Sequence, residues 1–183
     1  ADMSFLYQTI IVAGFAEKNY EGKPYITQFV AKDGRIEGCY RKRTLRGDQS
    51  KWFSPGTKPF MFKYSGYNFG LAISQDIYDD RIFKEYAEQG ASLVFESAAP
   101  GLSGGQVVRD WEPDFSCWKN ECKSKLGKYA AEGGIFIAAA TQTGRTCDED
   151  FPGGGYVFAP DGKCIYETGD GEEGMLVAKI QLN

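Results

Sequence analysis

The chain has 183 residues, hydrophobic and charged fractions of 42% and 25%, and a formal net charge of −4. This length suffices for one domain with a real core, and the composition argues against a disordered chain. The negative charge argues against a general nucleic-acid binder, because phosphate contacts need clustered Lys and Arg. No stretch approaches the run of about 20 apolar residues that a membrane helix needs, and the N-terminus lacks the pattern of a secretory signal. We therefore expect neither nucleic acid nor membrane as a partner.

The cysteine and histidine contents restrict the chemistry further. The five cysteines are odd in number and scattered along the chain. Because disulfide scaffolds of secreted domains usually pair their cysteines, we expect a reducing, cytoplasmic environment. The chain has no histidine, which excludes the common zinc sites and every histidine-based catalytic triad. We expect no metal and no cofactor.

Short β-branched or aromatic runs predict strands in the first half of the chain. The Asp33-Gly34 pair predicts a tight hairpin between two of them, and Ser65-Gly66 separates two others. Gly14 is expected to close the first strand. The predicted strands are Thr9–Ala13, Tyr25–Ala31, Arg35–Tyr40, Phe60–Tyr64 and Asn68–Ser74.

The second half alternates predicted helices with predicted strands. One amphipathic helix begins at Asp79-Asp80 and stops at Gly90. A second has apolar residues at three- and four-residue steps from Phe115 to Tyr129, and its Cys117 and Cys122 are predicted to be buried. The stretch Pro100–Gly105 is a predicted loop. The predicted strands are Ser92–Phe95, Ile135–Ala140, Tyr156–Ala159, Cys164–Tyr166 and Met175–Leu182. Strands joined by helices, together with hairpins, predict an α/β layered fold whose sheet is partly parallel and partly antiparallel.

Two segments carry residues that suit chemistry. Tyr40-Arg41-Lys42 follows a hairpin strand, and Ile73-Ser74-Gln75-Asp76 lies at the carboxyl end of a buried strand just before a helix. Open α/β sheets bind ligands outside the carboxyl ends of their strands. Backbone N–H groups at such a place can also hold an oxyanion.

These segments belong to a series of motifs that extends over nearly the whole chain. The members of the series are Val12–Glu17, Asp33–Ile36, Tyr40–Leu45, Phe53–Gly56, Gly70–Asp76, Gly90–Val94, Ala138–Gly144, Phe151–Gly155 and Pro160–Gly162. In order and spacing, the series resembles the lysine motif, the nucleophile motif and the following strands of the nitrilase superfamily of carbon–nitrogen hydrolases.

The resemblance implies a fold and a class of substrate. It implies an α-β-β-α sandwich with mixed sheets, in which residues 1–183 form a single domain equivalent to the C-terminal two-thirds of the family fold, incomplete at the N-terminus. It also implies hydrolysis of a nonpeptide C–N bond in a small amide, nitrile or carbamoyl compound. It implies as well a homodimer, or a higher homo-oligomer, formed through the outer helices.

The resemblance also implies roles for particular residues. The family uses a glutamate base, a cysteine nucleophile that forms a thioester, and a lysine that stabilises the oxyanion together with the N–H group after the cysteine. By position, Lys42 is the lysine, Ser74 stands at the nucleophile and the Gln75 N–H is an oxyanion donor. Asp76 and Glu96 are expected near the pocket. The family's base lies ahead of the part that this chain matches.

Several positions depart from the family pattern. The chain has Ser74 in place of cysteine, Thr141 in place of asparagine and Gly155 in place of serine, and it has Asp48-Gln49 where many members carry a further glutamate. Because an alcohol needs a strong adjacent base, we expect thioester chemistry to be absent. The serine is consistent with a natural degenerate member that binds without turnover, with an engineered cysteine-to-serine variant, or with a low-activity serine enzyme.

Each of these site residues also has a simpler interpretation. Lys42 can be a solvated charge in a basic run, and Ser74 can cap the next helix. Asp76 can be a helix-start or packing residue, and Glu96 can be an exposed charge at the end of a strand.

Overall fold

The computed structural model describes residues 1–101, 111–145, 150–169 and 173–182, without the side chains of residues 111–114. In these ranges the helices are α1 (Asp2–Leu6), α2 (Gln49–Trp52), α3 (Asp80–Glu88) and α4 (Trp111–Gly133), and a 3₁₀ turn covers Ser74–Tyr78. The strands are β1 (Ile11–Glu17), β2 (Tyr25–Lys32), β3 (Arg35–Arg41), β4 (Met61–Tyr64), β5 (Tyr67–Ile73), β6 (Leu93–Ala98), β7 (Phe136–Thr141), β8 (Thr143–Arg145), β9 (Asp150–Pro152), β10 (Gly155–Phe158) and β11 (Cys164–Glu167). Most of the predicted Pro100–Gly105 loop lies outside the described residues.

A six-stranded mixed sheet, with the order β11-β10-β7-β6-β5-β4, forms the centre of the molecule. Strands β5, β6 and β7 are parallel, whereas β4, β10 and β11 pair antiparallel. Helices α3 and α4 connect the parallel strands, as parallel strands require crossover connections. The predicted combination of parallel and antiparallel pairing is therefore confirmed.

A separate antiparallel sheet contains β1, β2 and β3. The hairpin between β2 and β3 is confirmed, and its turn residues Asp33 and Gly34 both have positive φ, 49° and 79°, as a type I′ turn requires. Gly14 does not close β1 as predicted. It pairs with Gln28 inside the ladder, and the strand continues to Glu17.

Two apolar clusters define three layers. The larger cluster lies between the six-stranded sheet and helices α3 and α4, and the smaller one lies between the two sheets around Val30, Tyr40, Leu71 and Ile73. The predicted apolar faces of both helices are confirmed, because Ile82, Phe83, Tyr86, Phe115, Trp118, Cys122, Leu126 and Tyr129 are all buried. No helix in the described ranges has both the length and the apolarity to cross a membrane.

Two further predictions are wrong. Residues 175–182 form no strand, although their side chains alternate between half-buried and exposed as they cross the six-stranded sheet. Their backbone pairs with no strand among the described residues. Cys117 is exposed, whereas Cys122 is buried as predicted, because only Cys122 lies on the face of α4 that meets the sheet.

Candidate active site

Lys42 comes directly after β3 and is almost fully buried, with 1% of its surface exposed. Its backbone N–H donates to the Ile26 carbonyl at 2.8 Å, and its own carbonyl accepts from the Gly56 N–H at 2.7 Å. Its Nζ donates to Oε1 of Gln49, the first residue of α2, at 2.9 Å. The ammonium is therefore held inside the protein, and the simpler interpretation of a solvated charge is wrong.

Ser74 lies at the turn where β5 ends and the 3₁₀ turn begins. Its φ is +50°, a left-handed conformation that few residues other than glycine adopt and that clusters at functional sites. The side chain is 8% exposed. Ser74 follows the last residue of β5 and lines a cavity there.

Lys42 and Ser74 line one cavity of about 380 Å³, located between the two sheets at the carboxyl ends of β5 and β6. Gln28, Gln49, Ser97 and Gln142 also line the cavity. Among the described residues of its wall, Lys42 carries the only acidic or basic side chain. The structure thus brings together the two positions that the sequence singled out.

A larger groove of about 650 Å³ lies beside this cavity. This inter-sheet groove is lined mainly by apolar residues of β6, β7 and β10 and by residues 174–182 of the C-terminal segment. It shares Gln28 and Ser97 with the cavity, so the two spaces are neighbours. Lys42 and the turn serine are found in the smaller one.

Asp76 is not among the residues that line the cavity, but it bonds to the backbone of Ile73, which does. It is fully buried and accepts four hydrogen bonds. The donors are the Tyr40 hydroxyl at 2.8 Å and the backbone N–H groups of Ile73 at 2.9 Å, Thr44 at 2.8 Å and Arg43 at 3.3 Å. Burial raises the pKa of Asp76, and these donors oppose that rise. Asp76 therefore ties the chain around Lys42 to the turn that carries Ser74.

Glu96 is not among the residues that line the Lys42–Ser74 cavity, but it is one of the residues that line the neighbouring inter-sheet groove. β6 extends to Ala98, past the predicted end at Phe95, because its ladder with β7 continues to Ala98. Glu96 is consequently inside the strand, and its neighbours on the same face, Val94 and Ala98, belong to the core beneath the helices. The alternative of an exposed charge is wrong as well, because Glu96 is 1% exposed.

The Glu96 carboxyl is unusual in having no full hydrogen bond to either oxygen. Burial raises its pKa well above the ordinary value, and the charge of Asp76 adds to the rise. The Ser74 N–H and Lys42 act in the opposite direction, but the geometry of the Ser74 N–H falls short of a hydrogen bond. This acid is a buried neighbour of the site and does not face the cavity.

Gln75 is not among the residues that line the cavity. Its side-chain Oε1 accepts from the Arg46 N–H at 2.9 Å, so the amide side chain points away from the cavity. The Gln75 N–H lies in the first turn after Ser74, where backbone N–H groups have no partner within the helix. Its position is compatible with the predicted role as an oxyanion donor.

Two glutamines of the cavity wall were missed by sequence reasoning. Gln49 stood out only as a departure from the family pattern, and nothing local indicates that it accepts from Lys42. Gln28 donates to the Ser97 hydroxyl, is fully buried and has an unpartnered Oε1. Its signal was available in the sequence: alternation puts it on the inward face of β2, between Ile26 and Val30.

The described residues contain no group of His, Cys, Asp or Glu side chains that could hold a metal ion. The site consists instead of a turn serine, a buried lysine and neutral amides. The mixed sheet is covered by helices on one face and by a second sheet on the other, and the site lies at the ends of its strands. This arrangement defines a protein of the nitrilase fold class.

The chain belongs to the carbon–nitrogen hydrolase family, whose profile matches residues 1–183. It is 30% identical to the 2-oxoglutaramate amidase of Bacillus subtilis over 176 residues, which cover 94% of this chain and 62% of that protein. It is 23% identical to the glutamine-dependent NAD(+) synthetase of Acinetobacter baylyi over 177 residues, which cover 94% of this chain and 30% of that protein. The chain thus spans less than two thirds of each relative.

Solved structures show the same fold. An amidase from Nesterenkonia sp. superposes with a TM-score of 0.78 at 22% identity, over 94% of this chain and 61% of that one. A cysteine-to-serine mutant of the Nesterenkonia AN1 amidase superposes with a TM-score of 0.76 at 24% identity, over 92% of this chain and 61% of that one. The mixed α/β fold of the nitrilase superfamily is therefore confirmed.

Proposed function

We propose that the Lys42–Ser74 cavity binds a small amide, nitrile or carbamoyl compound, and that the reaction of this site is hydrolysis of its nonpeptide C–N bond. We propose further that Ser74 stands where relatives carry a nucleophilic cysteine, so that turnover is slow. The observation that supports this most is the turn serine at positive φ in the same cavity as a buried lysine. Relatives named as amidases act on this class of compound.

The chemistry follows from the placement of the groups. When the carbonyl carbon of a substrate lies beside the Ser74 hydroxyl, the carbonyl oxygen lies near the Lys42 ammonium and the Gln75 N–H. Donors fixed in a water-poor site stabilise the developing oxyanion strongly. The cavity volume of about 380 Å³ lies within the usual range for small-molecule sites. A compound with a short side chain fits this space.

Slow turnover follows from the nucleophile. A thiol with a pKa of about 8.5 is readily ionised, whereas an alcohol reacts only with help from a base. A protein that binds such compounds without turning them over is the second candidate, and the serine in place of cysteine favours it.

Replacing Ser74 by cysteine tests the proposal. Ser74→Cys is expected to release ammonia from acetamide or butyramide at least about tenfold faster than the wild type, because the thiolate is the better nucleophile. Ser74→Ala is the matched control and should release none. Thermal unfolding with and without the amide measures binding independently of turnover.

The outcomes separate the two candidates. Ammonia release by Ser74→Cys supports a hydrolase site weakened at its nucleophile. If this variant binds the amide and stays silent, the protein is a binding protein. If neither the wild type nor Ser74→Cys is stabilised by any amide, nitrile or carbamoyl compound, the assignment of the cavity is wrong.

We also propose that residues 1–183 act as one carbon–nitrogen hydrolase-like domain, and that the protein is a cytoplasmic homodimer. The free thiols of Cys39, Cys117, Cys122 and Cys164 are consistent with a reducing compartment; Cys147 lies outside the described residues. Sedimentation velocity of the purified protein tests the dimer, and a monomer at all concentrations would contradict it.

A further inference from the structure

We propose that Asp76 is the positioning residue of this site, because its carboxylate fixes where the side chain of Lys42 stands relative to Ser74. This inference deepens the proposed function and rests on its assignment of the Lys42–Ser74 cavity as the reaction site. Asp76 is not among the residues that line that cavity. It therefore acts through the two chain segments that it holds, and not through contact with a substrate.

Lys42 and Ser74 belong to different sheets, and apolar contact alone does not fix one against the other. Lys42 follows β3 of the three-stranded sheet, and Ser74 follows β5 of the six-stranded sheet. The smaller apolar cluster, which includes Tyr40 and Ile73, lies between these sheets. Apolar burial is non-directional, whereas hydrogen bonds prefer particular distances and angles. Directional bonds that join the two segments are therefore needed to hold both side chains in register.

Asp76 makes such bonds to the chain on both sides of Lys42. Its Oδ1 accepts from the Thr44 N–H at 2.8 Å and from the Arg43 N–H at 3.3 Å. Its Oδ2 accepts from the Tyr40 hydroxyl at 2.8 Å. Because these donors precede and follow Lys42 directly along the chain, the carboxylate fixes the backbone from which the lysine side chain extends.

The same carboxylate holds the turn at Ser74. Oδ2 also accepts from the N–H of Ile73, the residue before Ser74, at 2.9 Å. Ser74 has a φ of +50°, a conformation that residues other than glycine keep where their surroundings enforce it. The bond from Ile73 to Asp76 closes the chain around this residue. One buried side chain thus connects the turn serine to the segment that carries the lysine.

The four donors require a carboxylate and not an amide. An ionised carboxylate has about four acceptor sites on its two oxygens, and each oxygen of Asp76 accepts two bonds. An asparagine offers one acceptor oxygen and an NH₂ group that cannot accept from a backbone N–H. Whichever way such an amide turns, the backbone donors of one segment lose their acceptor. Asp76→Asn is therefore expected to separate the two segments.

The test uses the Ser74→Cys protein, because the ionisation of a thiol reports a charge close to it. Alkylation by iodoacetamide is followed as a function of pH. Mass spectrometry of the peptide around position 74 separates this reaction from that of the exposed thiols of Cys39 and Cys117. Because Lys42 lines the same cavity, the introduced thiol is expected to titrate below the ordinary pKa of about 8.5. The measurement needs no substrate.

Asp76→Asn in this background is expected to raise the pKa of the thiol by about one unit or more, because Lys42 moves away from it. The sign of the shift is informative. Loss of a negative charge would by itself lower the pKa of the thiol, so a rise reports displacement of the lysine. An unchanged or lower thiol pKa in the folded Asp76→Asn protein would overturn the proposal.

Asp79→Asn is the matched control. It removes the same charge three residues later, where the carboxylate accepts from the Arg81 N–H at 3.2 Å and caps α3. Loss of this cap weakens the fold, but the bonds of Asp76 remain. We expect a lower melting temperature and no rise in the thiol pKa. An equal rise in both variants would mean that Asp76 supports the fold without positioning the site.

A second comparison shows whether the shift depends on the lysine. Lys42→Met in the Ser74→Cys protein should bring the thiol to its ordinary pKa. In that protein Asp76→Asn should produce no further rise, because the charge that it would displace is gone. A rise of the same size with and without Lys42 would contradict the proposal.

Tyr40→Phe keeps the proposal testable if Asp76→Asn does not fold. It removes one donor of the carboxylate, changes no charge and leaves the three backbone bonds in place. We expect a rise in the thiol pKa that is smaller than that of Asp76→Asn and larger than that of Asp79→Asn. A thiol pKa equal to that of the Ser74→Cys protein would count against the positioning role.

Failure of this inference and failure of the proposed function give different results. Ammonia release by Ser74→Cys tests the cavity and its substrate class. If Ser74→Cys hydrolyses amides while Asp76→Asn leaves the thiol pKa unchanged, only the positioning role fails. If Asp76→Asn raises the thiol pKa while no amide, nitrile or carbamoyl compound is bound, Asp76 positions the two side chains and the substrate class is wrong.

Discussion

At the scale of single residues, the buried carboxyl of Glu96 is the clearest source of instability. Its oxygens have no hydrogen-bond partner in the described part of the chain, and its pKa is raised by burial. A raised pKa means that the folded state holds the proton to higher pH than the unfolded chain. Between the unfolded and the folded pKa the folded state binds more protons, so stability falls as pH rises through that window.

Glu96→Gln is therefore expected to stabilise the protein above this window. The free energy of unfolding should rise by roughly 1–3 kcal/mol, because a neutral amide avoids the cost of ionising a buried carboxyl or of keeping it protonated. It should change much less near pH 3, below the ordinary glutamate pKa of about 4.3, where wild-type Glu96 is protonated in both states. Urea unfolding at acidic and at neutral pH measures the difference. Glu37→Gln, in an exposed part of β3, is the control. A Glu96→Gln protein less stable than wild type at neutral pH would contradict this account.

At the scale of elements, β5 and α3 approach each other at Gly70. A Cβ at this position would lie 2.8 Å from the Tyr86 ring. The ring cannot move aside, because its hydroxyl donates to the Leu71 carbonyl at 2.6 Å and accepts from the Phe60 N–H at 3.3 Å. The glycine thus sets the distance between the helix and the strand that ends at Ser74.

Gly70→Ala is expected to destabilise the protein by about 1–3 kcal/mol, as overpacked cores usually are. It should also weaken binding of a small amide in the Lys42–Ser74 cavity, because a displaced β5 moves the turn that follows it. Thermal unfolding without and with acetamide measures the two effects. Gly169→Ala, whose added Cβ would have no heavy atom within 4 Å, is the control and should change little. Equal effects of the two variants would refute the importance of this contact.

At the scale of the whole molecule, the C-terminal segment covers the inter-sheet groove. Leu176, Ala178, Ile180 and Leu182 line that groove, and Val177 between them is 76% exposed. The backbone is fastened by two hydroxyls: Tyr166 donates to the Lys179 carbonyl at 3.2 Å, and Tyr67 donates to the Leu182 carbonyl at 3.1 Å. Side-chain burial therefore holds a segment that forms no ladder with the sheet.

Ile180→Asp is expected to lower the free energy of unfolding by an amount on the order of 1–3 kcal/mol, because it puts a charge into an apolar groove. Val177→Asp, three residues earlier on the exposed side, should be nearly neutral. Chemical denaturation of both variants provides the comparison. Similar values for the two would mean that the segment does not pack as described.

Local rules predicted a good part of the fold. The φ values needed at Asp33 and Gly34 are a property of a two-residue turn, and the apolar face of α3 is a property of residues three and four apart. Strand ends were predicted less well. Gly14 and Phe95 were taken as ends, but ladder pairing with β2 and with β7 carries both strands further. Pairing partners lie far away in the sequence, so local patterns do not show where a ladder stops.

The sequence by itself determined the turns, the helix faces, the lack of histidine chemistry and the order of the motifs that contain Lys42 and Ser74. Tertiary structure alone decided that these two side chains share a cavity and that Gln49 accepts a hydrogen bond from Lys42. It also decided that Asp76 accepts four hydrogen bonds from the segments around it, and that Glu96 is buried inside β6. The physical reason is the range of the interactions. Turn and helix preferences act between near neighbours, whereas burial and hydrogen bonding join residues that only the folded chain brings together.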